Sequence, residues 1–320
     1  MAFTTLILAA GLAYPAWAQQ QNNAPAGPGA INYVEGQVAI GSNQLSSSSV
    51  GKVTLGAGET LTTQDGRAEI LLLPGIFVRV AHDSAVKMVS PDLANTEIAV
   101  DRGMVIVEVA QIQKANNVRV DAAGATTKLE KTGLYQFNAA DKQIMVYKGK
   151  AQVYSGNRKI TLTEDREVTL NNPNPKAHDF DEGQYETTDF YRWNALRAGY
   201  LSEANVDAAR LYINGPGWVG PGWYWDPWFD AYTWIPGTGI RYSPFGWGFY
   251  SPFYLYNTPF LYGGYYGRPH RFGDFHYPYG HGFVPQRQGG IFPRGGGTFH
   301  NGGHRLPRPG RGPVRAGPRR

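Results

Sequence analysis

The sequence predicts a mainly β protein: one all-β domain of short, largely antiparallel strands over residues 31–172, an amphipathic helix over 187–212, and an irregular, Gly/Pro/aromatic tail. Three observations predict it. Residues 31–172 are dense in Val, Ile, Thr and Tyr and alternate apolar with polar residues, as half-buried strands do. Phe190, Trp193, Leu196, Tyr200 and Ala204 then recur every three or four residues, the spacing of one helix face. Most of the 41 Gly and 22 Pro lie after that helix, where they disfavour both helix and central strand.

The first element is an export signal over residues 1–18. Leu6–Leu12 is an apolar run too short for a membrane span, which takes about 20 residues. Ala16-Trp17-Ala18 follows with the small residues of a cleavage site, although no Lys or Arg precedes the run. Residues 19–30 read as a polar linker. No later segment is long and apolar enough to span a bilayer, so the mature chain is expected in the periplasm or at the cell surface. The absence of cysteine excludes disulfides, thiolate metal sites and a cysteine nucleophile.

Within 31–172, Thr96–Val100, Asn117–Asp121, Gln143–Tyr147 and Ala151–Tyr154 read as strands. Lys148-Gly149, Ser155-Gly156-Asn157 and Asp65-Gly66 read as hairpin turns, because Gly and Asn take positive φ cheaply. Strands at this spacing make a sandwich, a barrel or a β-roll.

Leu61–Leu72 carries a Thr- and Gly-containing turn that leads into Ala68-Glu69-Ile70-Leu71-Leu72. Val78-Arg79-Val80, Asp83–Val86, Asp101–Val109, Lys131–Phe137 and Val146–Val153 follow. In order and spacing these segments resemble the FecR domain, and the resemblance covers most of 31–172. It implies a FecR-like β-domain, either a β-roll or solenoid or a sandwich, with an extracytoplasmic binding role. The best-known family members are membrane-spanning sensors that relay an outer-membrane transport signal to a cytoplasmic σ factor. This sequence shows no cytoplasmic helical segment ahead of a membrane span, so that relay is not carried over. The motif positions are turn glycines and core residues, and no functional site transfers with them.

Nothing in the sequence assembles a catalytic, cofactor or metal site. His82-Asp83-Ser84 holds the residue types of a hydrolase triad, but neighbours on a strand point to opposite faces and read as a polar turn. Asp141, Glu164, Asp165 and Glu167 read as solvated acids in turns or at strand edges, with a weak calcium loop at Glu164-Asp165 as the alternative. His270, His276, His281, His300 and His304 lack accompanying acids or thiols and make a poor transition-metal site.

Residues 173–186 read as an acidic linker, and Thr187-Thr188-Asp189 as the N-cap of the helix. Its apolar stripe is expected to pack on the β-domain or the tail, with Arg192, Asn194, Arg197 and Glu203 off the stripe. Residues 213–285 hold six of the eight Trp and two local repeats, Gly-Pro-Gly-Trp at 215 and 220 and Tyr-Ser-Pro-Phe at 242 and 250. So aromatic a run either folds back, self-associates or docks a partner. Trp218, Trp223, Trp225 and Trp228 are its candidate contact residues. Residues 286–320 are expected to be disordered. From residue 241 onward the chain has eleven Arg, no Lys and one acid, so Arg305, Arg308 and Arg311 are candidate contacts to an anionic surface polymer. Export disfavours nucleic acid as a partner.

These features predict a non-enzymatic extracytoplasmic binding or scaffold protein. Its FecR-like domain would engage an envelope protein or polysaccharide while the basic aromatic tail contacts an anionic polymer. The alternative is a periplasmic sensory accessory that modulates a membrane-bound signalling regulator.

Overall fold

The computed structural model describes residues 26–213 and 218–257. The export signal and the arginine-rich end expected from the sequence lie outside the described residues, as do all five histidines after residue 257.

The fold is mainly β. Its centre is one sheet built from β1 (Ile31–Ile40), β2 (Asn43–Leu45), β3 (Thr60–Leu71), β4 (Ile76–Val80), β5 (Ala85–Pro91), β6 (Thr96–Arg102), β7 (Met104–Val109), β8 (Val118–Ala122), β9 (Ala125–Leu129), β10 (Gly133–Asn138), β11 (Gln143–Lys148), β12 (Lys150–Ser155), β13 (Arg158–Thr163), β14 (Arg166–Thr169) and β15 (His178–Asp179). The order is β13-β12-β9-β8-β6-β5-β3-β4-β7-β10-β11-β14-β15, with β1 lying along β3 and β2 along β1. Every pairing is antiparallel except β6 with β8.

The sheet folds over at β3. Thr60–Thr62 pair with β5, while Ala68–Leu71 pair with β4. Between them Gly66 faces Gly36 of β1 across a bulge. Asp65-Gly66 is therefore a bend inside one strand, not the hairpin turn expected from the sequence. A Cβ at Gly66 would lie 2.5 Å from the Glu35 carbonyl oxygen, so the bend needs glycine.

One further turn also differs from expectation. β11 and β12 follow each other across Gly149 alone, yet β11 pairs with β10 and β14, and β12 with β9 and β13. Gly149 is a crossing from one layer to the other, at φ 106. Gly103 does the same between β6 and β7, and Glu164-Asp165 between β13 and β14. A Gly signals a hairpin and a layer crossing alike, because each needs only a tight change of direction. Ser155-Gly156-Asn157 does close the β12–β13 hairpin.

The two layers share one core, with Ile98, Val120, Val153 and Leu162 from one and Val78, Val107, Phe137 and Val146 from the other. Their outer faces differ. In the first layer β6, β8 and β9 alternate buried and half-exposed residues. In the second, all five residues of β4 are buried, because a cap covers the outer face.

That cap is the C-terminal part of the chain. It comprises α1 (Glu182–Glu186), α2 (Asp189–Ile213), the hairpin β16 (Gly222–Asp226) with β17 (Ala231–Ile235), the hairpin β18 (Ile240–Tyr242) with β19 (Gly248–Tyr250), and α3 (Pro252–Asn257). The expected acidic linker is partly ordered. β15 pairs with β14, and Phe180 and Tyr185 pack edge-on against Tyr147. Thr188 is the N-cap of α2, accepting the Tyr191 N–H at 3.3 Å.

Residues 218–257, expected to be irregular, are ordered. The prolines sit outside the strands, with Pro221 before β16, Pro227 in its turn, Pro236 after β17 and Pro244 in the next turn. The second Tyr-Ser-Pro-Phe repeat starts α3: Ser251 Oγ accepts the Tyr254 N–H, and Pro252 occupies the first helical position. Several glycines are seats for rings. Trp225 lies over Gly51, Trp234 over Gly75 and Trp247 over Gly199.

Candidate functional site

The most distinctive chemistry lies under the cap. β3, β4 and β7 point apolar side chains into the shared core and Glu69, Arg79 and Glu108 outward, and all three charged residues are fully buried. Glu69 stands opposite Arg79 across β3 and β4. Arg79 Nε donates to Glu69 Oε2 at 2.8 Å and Nη1 donates to Glu108 Oε2 at 2.6 Å. The guanidinium lies over the Phe77 ring, and its Nη2 has no partner among the described residues.

The cap completes the cluster. Arg197 of α2 donates from Nε to Glu69 Oε1 at 3.1 Å and from Nη2 to the Asn32 carbonyl oxygen at 2.9 Å. The Asn32 amide donates to Glu69 Oε1 and to the Tyr232 carbonyl oxygen, and its Oδ1 accepts the Tyr232 N–H. Ser243 Oγ donates to Glu108 Oε1. Two guanidinium and two carboxylate groups thus balance within one water-excluded network. Burial pushes the Glu69 carboxyl up, but Arg197 and Arg79 together pull it below its ordinary value. Burial also opposes the Arg79 charge, and Glu108 and Glu69 outweigh it.

This arrangement corrects the expected helix face. The buried residues of α2 include Phe190 and Ala204 of the expected stripe, but also Asn194, Arg197, Ala198, Leu201, Asn205 and Ala208. That face is rotated by about 100°, one residue, from the apolar stripe. Asn194 and Arg197 were expected off the packed face and are buried in it. Leu196 is half-buried and Tyr200 exposed. The reason is the receiving surface: polar Glu69 and backbone carbonyl groups require donors above them. Asn205 Nδ2 donates to the Trp234 and Tyr250 carbonyl oxygens, and Ser202 Oγ donates to that of Gly248.

Beside the charges lies an aromatic cluster. Phe77 packs edge-on to Trp223 at 5.1 Å and stacks on Phe249 at 6.0 Å, and Trp234 leans on Phe249 at 5.4 Å. Trp223, proposed from the sequence as a contact residue, is therefore buried, and Trp218 and Trp225 are half-buried. Their indole N–H groups are buried and have no acceptor among the described residues. Trp228 differs: it is 86% exposed at the tip of the β16–β17 hairpin. Arg305, Arg308 and Arg311 lie outside the described residues.

The residues weighed for catalysis do not converge. His82 and Asp83 are exposed and 3.1 Å apart, while Ser84 Oγ turns inward to donate to the His82 carbonyl oxygen. Asp141 accepts from the Asn138 side chain, and Glu164 and Asp165 form an exposed turn. Glu167 is not a solvated acid: it is buried, accepts from Gln143 at 2.7 Å, and lies 2.8 Å from His178 Nε2. Among the described residues no group of three or more His, Asp or Glu is placed to hold a metal ion. No described helix is long and apolar enough to cross a membrane.

Sequence reasoning missed Asn32, Glu69, Arg79, Glu108, Arg197 and Ser243 as a group. One signal was present: Arg79 interrupts the otherwise apolar strand Ile76-Phe77-Val78-Arg79-Val80.

Residues 59–152, from the start of β3 through the first half of β12, match the family model described as FecR protein. No curated protein matches the chain. Two crystal structures of a candidate anti-sigma factor from Parabacteroides distasonis ATCC 8503 are similar to it. One is 14% identical, over 55% of this chain and 82% of that one, with a TM-score of 0.34. The other is 13% identical with a TM-score of 0.32, over 38% of this chain and 58% of that one, so the match spans less than two thirds of its length. By the family match, residues 59–152 of this protein are a FecR domain.

Proposed function

We propose that this protein is a non-enzymatic regulatory accessory that acts outside the cytoplasm, its FecR domain serving as a binding module for a membrane-bound signalling regulator. The FecR match over residues 59–152 carries this reading. The sealed, charge-balanced network under the cap supports a structural role for the most reactive side chains, leaving recognition to the surface. Deletion of the gene is expected to change transcription of a discrete, regulator-dependent gene set. A re-expressed chain lacking 26–257 should fail to restore it, and an unaltered transcript profile refutes the proposal. Amino-terminal sequencing of the mature chain tests export, with Gln19 as the expected first residue.

A second reading, an envelope scaffold, is favoured by the arginine-rich end with Arg305, Arg308 and Arg311. Deleting residues 286–320 should then abolish retention on isolated envelopes at low salt, because such contacts are electrostatic. Retention that persists removes this reading.

A further inference from the structure

We propose that the outer face of the first layer, over β8, β9, β12 and β13, is a binding site for an acidic polysaccharide, a chain of uronic-acid sugars. Strand pairing sets its side chains in rows. Arg119, Lys128, Gln152 and Thr161 stand opposite one another across the four strands. In the next row Tyr154 stands between Thr126 and Lys159. None of these belongs to the shared core, and all except Gln152 are exposed or half-buried.

The charge on this face runs against that of the surrounding chain. The whole chain is +5 and residues 241–320 are +10, so residues 1–240 are net −5. Yet these strands turn Arg119, Lys128, Lys150 and Lys159 outward, against the single acid Asp121. Neighbouring acids occupy two of the cations: Glu97 pairs with Arg119, and Glu130 with Lys150 at 3.1 Å. Lys128 and Lys159 form no ion pair among the described residues. Lys128 also lies directly opposite Arg119, and like charges so placed cost stability in the free protein. A polyanion laid across the rows relieves that repulsion.

The occupant is a sugar chain rather than a protein because of what the face lacks. A stable protein interface has an apolar centre. Here Tyr154, 40% exposed, is the one large apolar side chain that the four strands turn outward. A single flat ring instead suits the C–H face of a pyranose. The hydroxyl groups of Thr126 and Thr161 already donate, to Asp121 and Gln152, and keep lone pairs for sugar hydroxyls. Lys159 Nζ lies 5.8 Å from the Tyr154 centroid, near the limit of a cation–π contact, so it is free to turn to a carboxylate. Lys128 is two strands away, about 10 Å, and takes the carboxylate of a second sugar. This site does not depend on the regulator reading, and it is separate from the arginine-rich end.

Hydrogen–deuterium exchange of the full chain, titrated with a galacturonic acid hexamer, tests this, because local protection separates the face from residues 286–320. β13 is an edge strand, so its unpaired N–H groups report contact. Residues 125–129 and 150–163 should slow together, with one midpoint. Lys128→Gln with Lys159→Gln should raise that midpoint at least about tenfold, the loss expected for two charged contacts. Tyr154→Ala should raise it about fivefold, and Tyr154→Phe should leave it unchanged. All three side chains are exposed or half-buried, and unchanged thermal melts check that the variants are folded. No protection of these strands at millimolar hexamer overturns the proposal, as does protection confined to residues 286–320. So does a midpoint that stays put in the double lysine variant or in Tyr154→Ala. Equal protection by hexaglutamate or by a DNA hexamer assigns the face to a peptide or a nucleic acid and overturns the polysaccharide.

Discussion

Replacing Arg197 with Met tests whether the cap is held by the buried charge network. The substitution keeps an unbranched apolar stem and removes the guanidinium, and with it two hydrogen bonds, to Glu69 Oε1 and to the Asn32 carbonyl oxygen. It leaves the cluster with two carboxylates and one guanidinium. Breaking a buried pair by removing one partner costs about 3–5 kcal/mol. Glu69 keeps Arg79 at 2.8 Å and the Asn32 amide at 2.8 Å, which places the cost near the lower end, about 3 kcal/mol. For a cooperative unit of this size that lowers Tm by about 6–12 °C.

The same variant carries a pH signature. The folded Glu69 carboxyl is held below its ordinary value of 4.5, so it contributes stability above that pH and loses it as pH falls toward the folded value. Without Arg197 the folded value rises toward the ordinary one, and acid unfolding begins at higher pH. Denaturant melts at pH 7 and an acid titration followed by circular dichroism measure both effects. A loss below about 0.5 kcal/mol, or a double-mutant cycle with Glu69→Gln showing no coupling, refutes the reasoning.

Three more outcomes are expected. Gly199→Ala, which would stabilise an ordinary exposed helix by about 1 kcal/mol, should instead destabilise this protein by about 1–3 kcal/mol in thermal melts. The added Cβ would lie 2.8 Å from the Trp247 ring, and a stabilised variant would show that the ring is not seated there. Trp234→Ala should cost about 3–5 kcal/mol in urea melts, whereas Trp228→Ala should fall within about 0.5 kcal/mol of wild type. Burial pushes the Tyr135 phenol up to about 12 from 10.0. It therefore contributes stability that is fully present below pH 10 and lost as pH rises toward 12, and ultraviolet titration should show it ionising only with alkaline unfolding.

The strands were legible where one face is wet. Thr96–Val100 in β6 and Asn117–Asp121, which falls largely in β8, alternate as expected. The segments that resemble FecR were legible through order and spacing. What escaped was partnership. Gly149 reads locally as a hairpin turn, and only the pairing of β12 with β9 shows a crossing. Much of the packed face of α2 escaped because its contacts are small or polar: Ala198 and Ala208 permit close approach, while Asn194, Arg197 and Asn205 supply donors. Hydropathy assigns such residues to solvent. The order of 218–257 escaped because Gly and Pro were weighed as breakers, when here they bound the strands and seat the indole rings.

The charged surface beneath the cap has a consequence for the chain as it is made. Glu69, Arg79 and Glu108 are synthesised well before Arg197, Tyr232 and Ser243, the residues that later seal them. Until the last hairpin emerges, the second layer must wait with one broad face open to water. An all-apolar face would invite other unfinished chains during that interval. With two carboxylates and a guanidinium on it, the waiting face stays hydrated and repels a wrong neighbour that brings no matching donors. The same ions that tie the cap down in the finished fold thus guard the face while the chain is still unfinished.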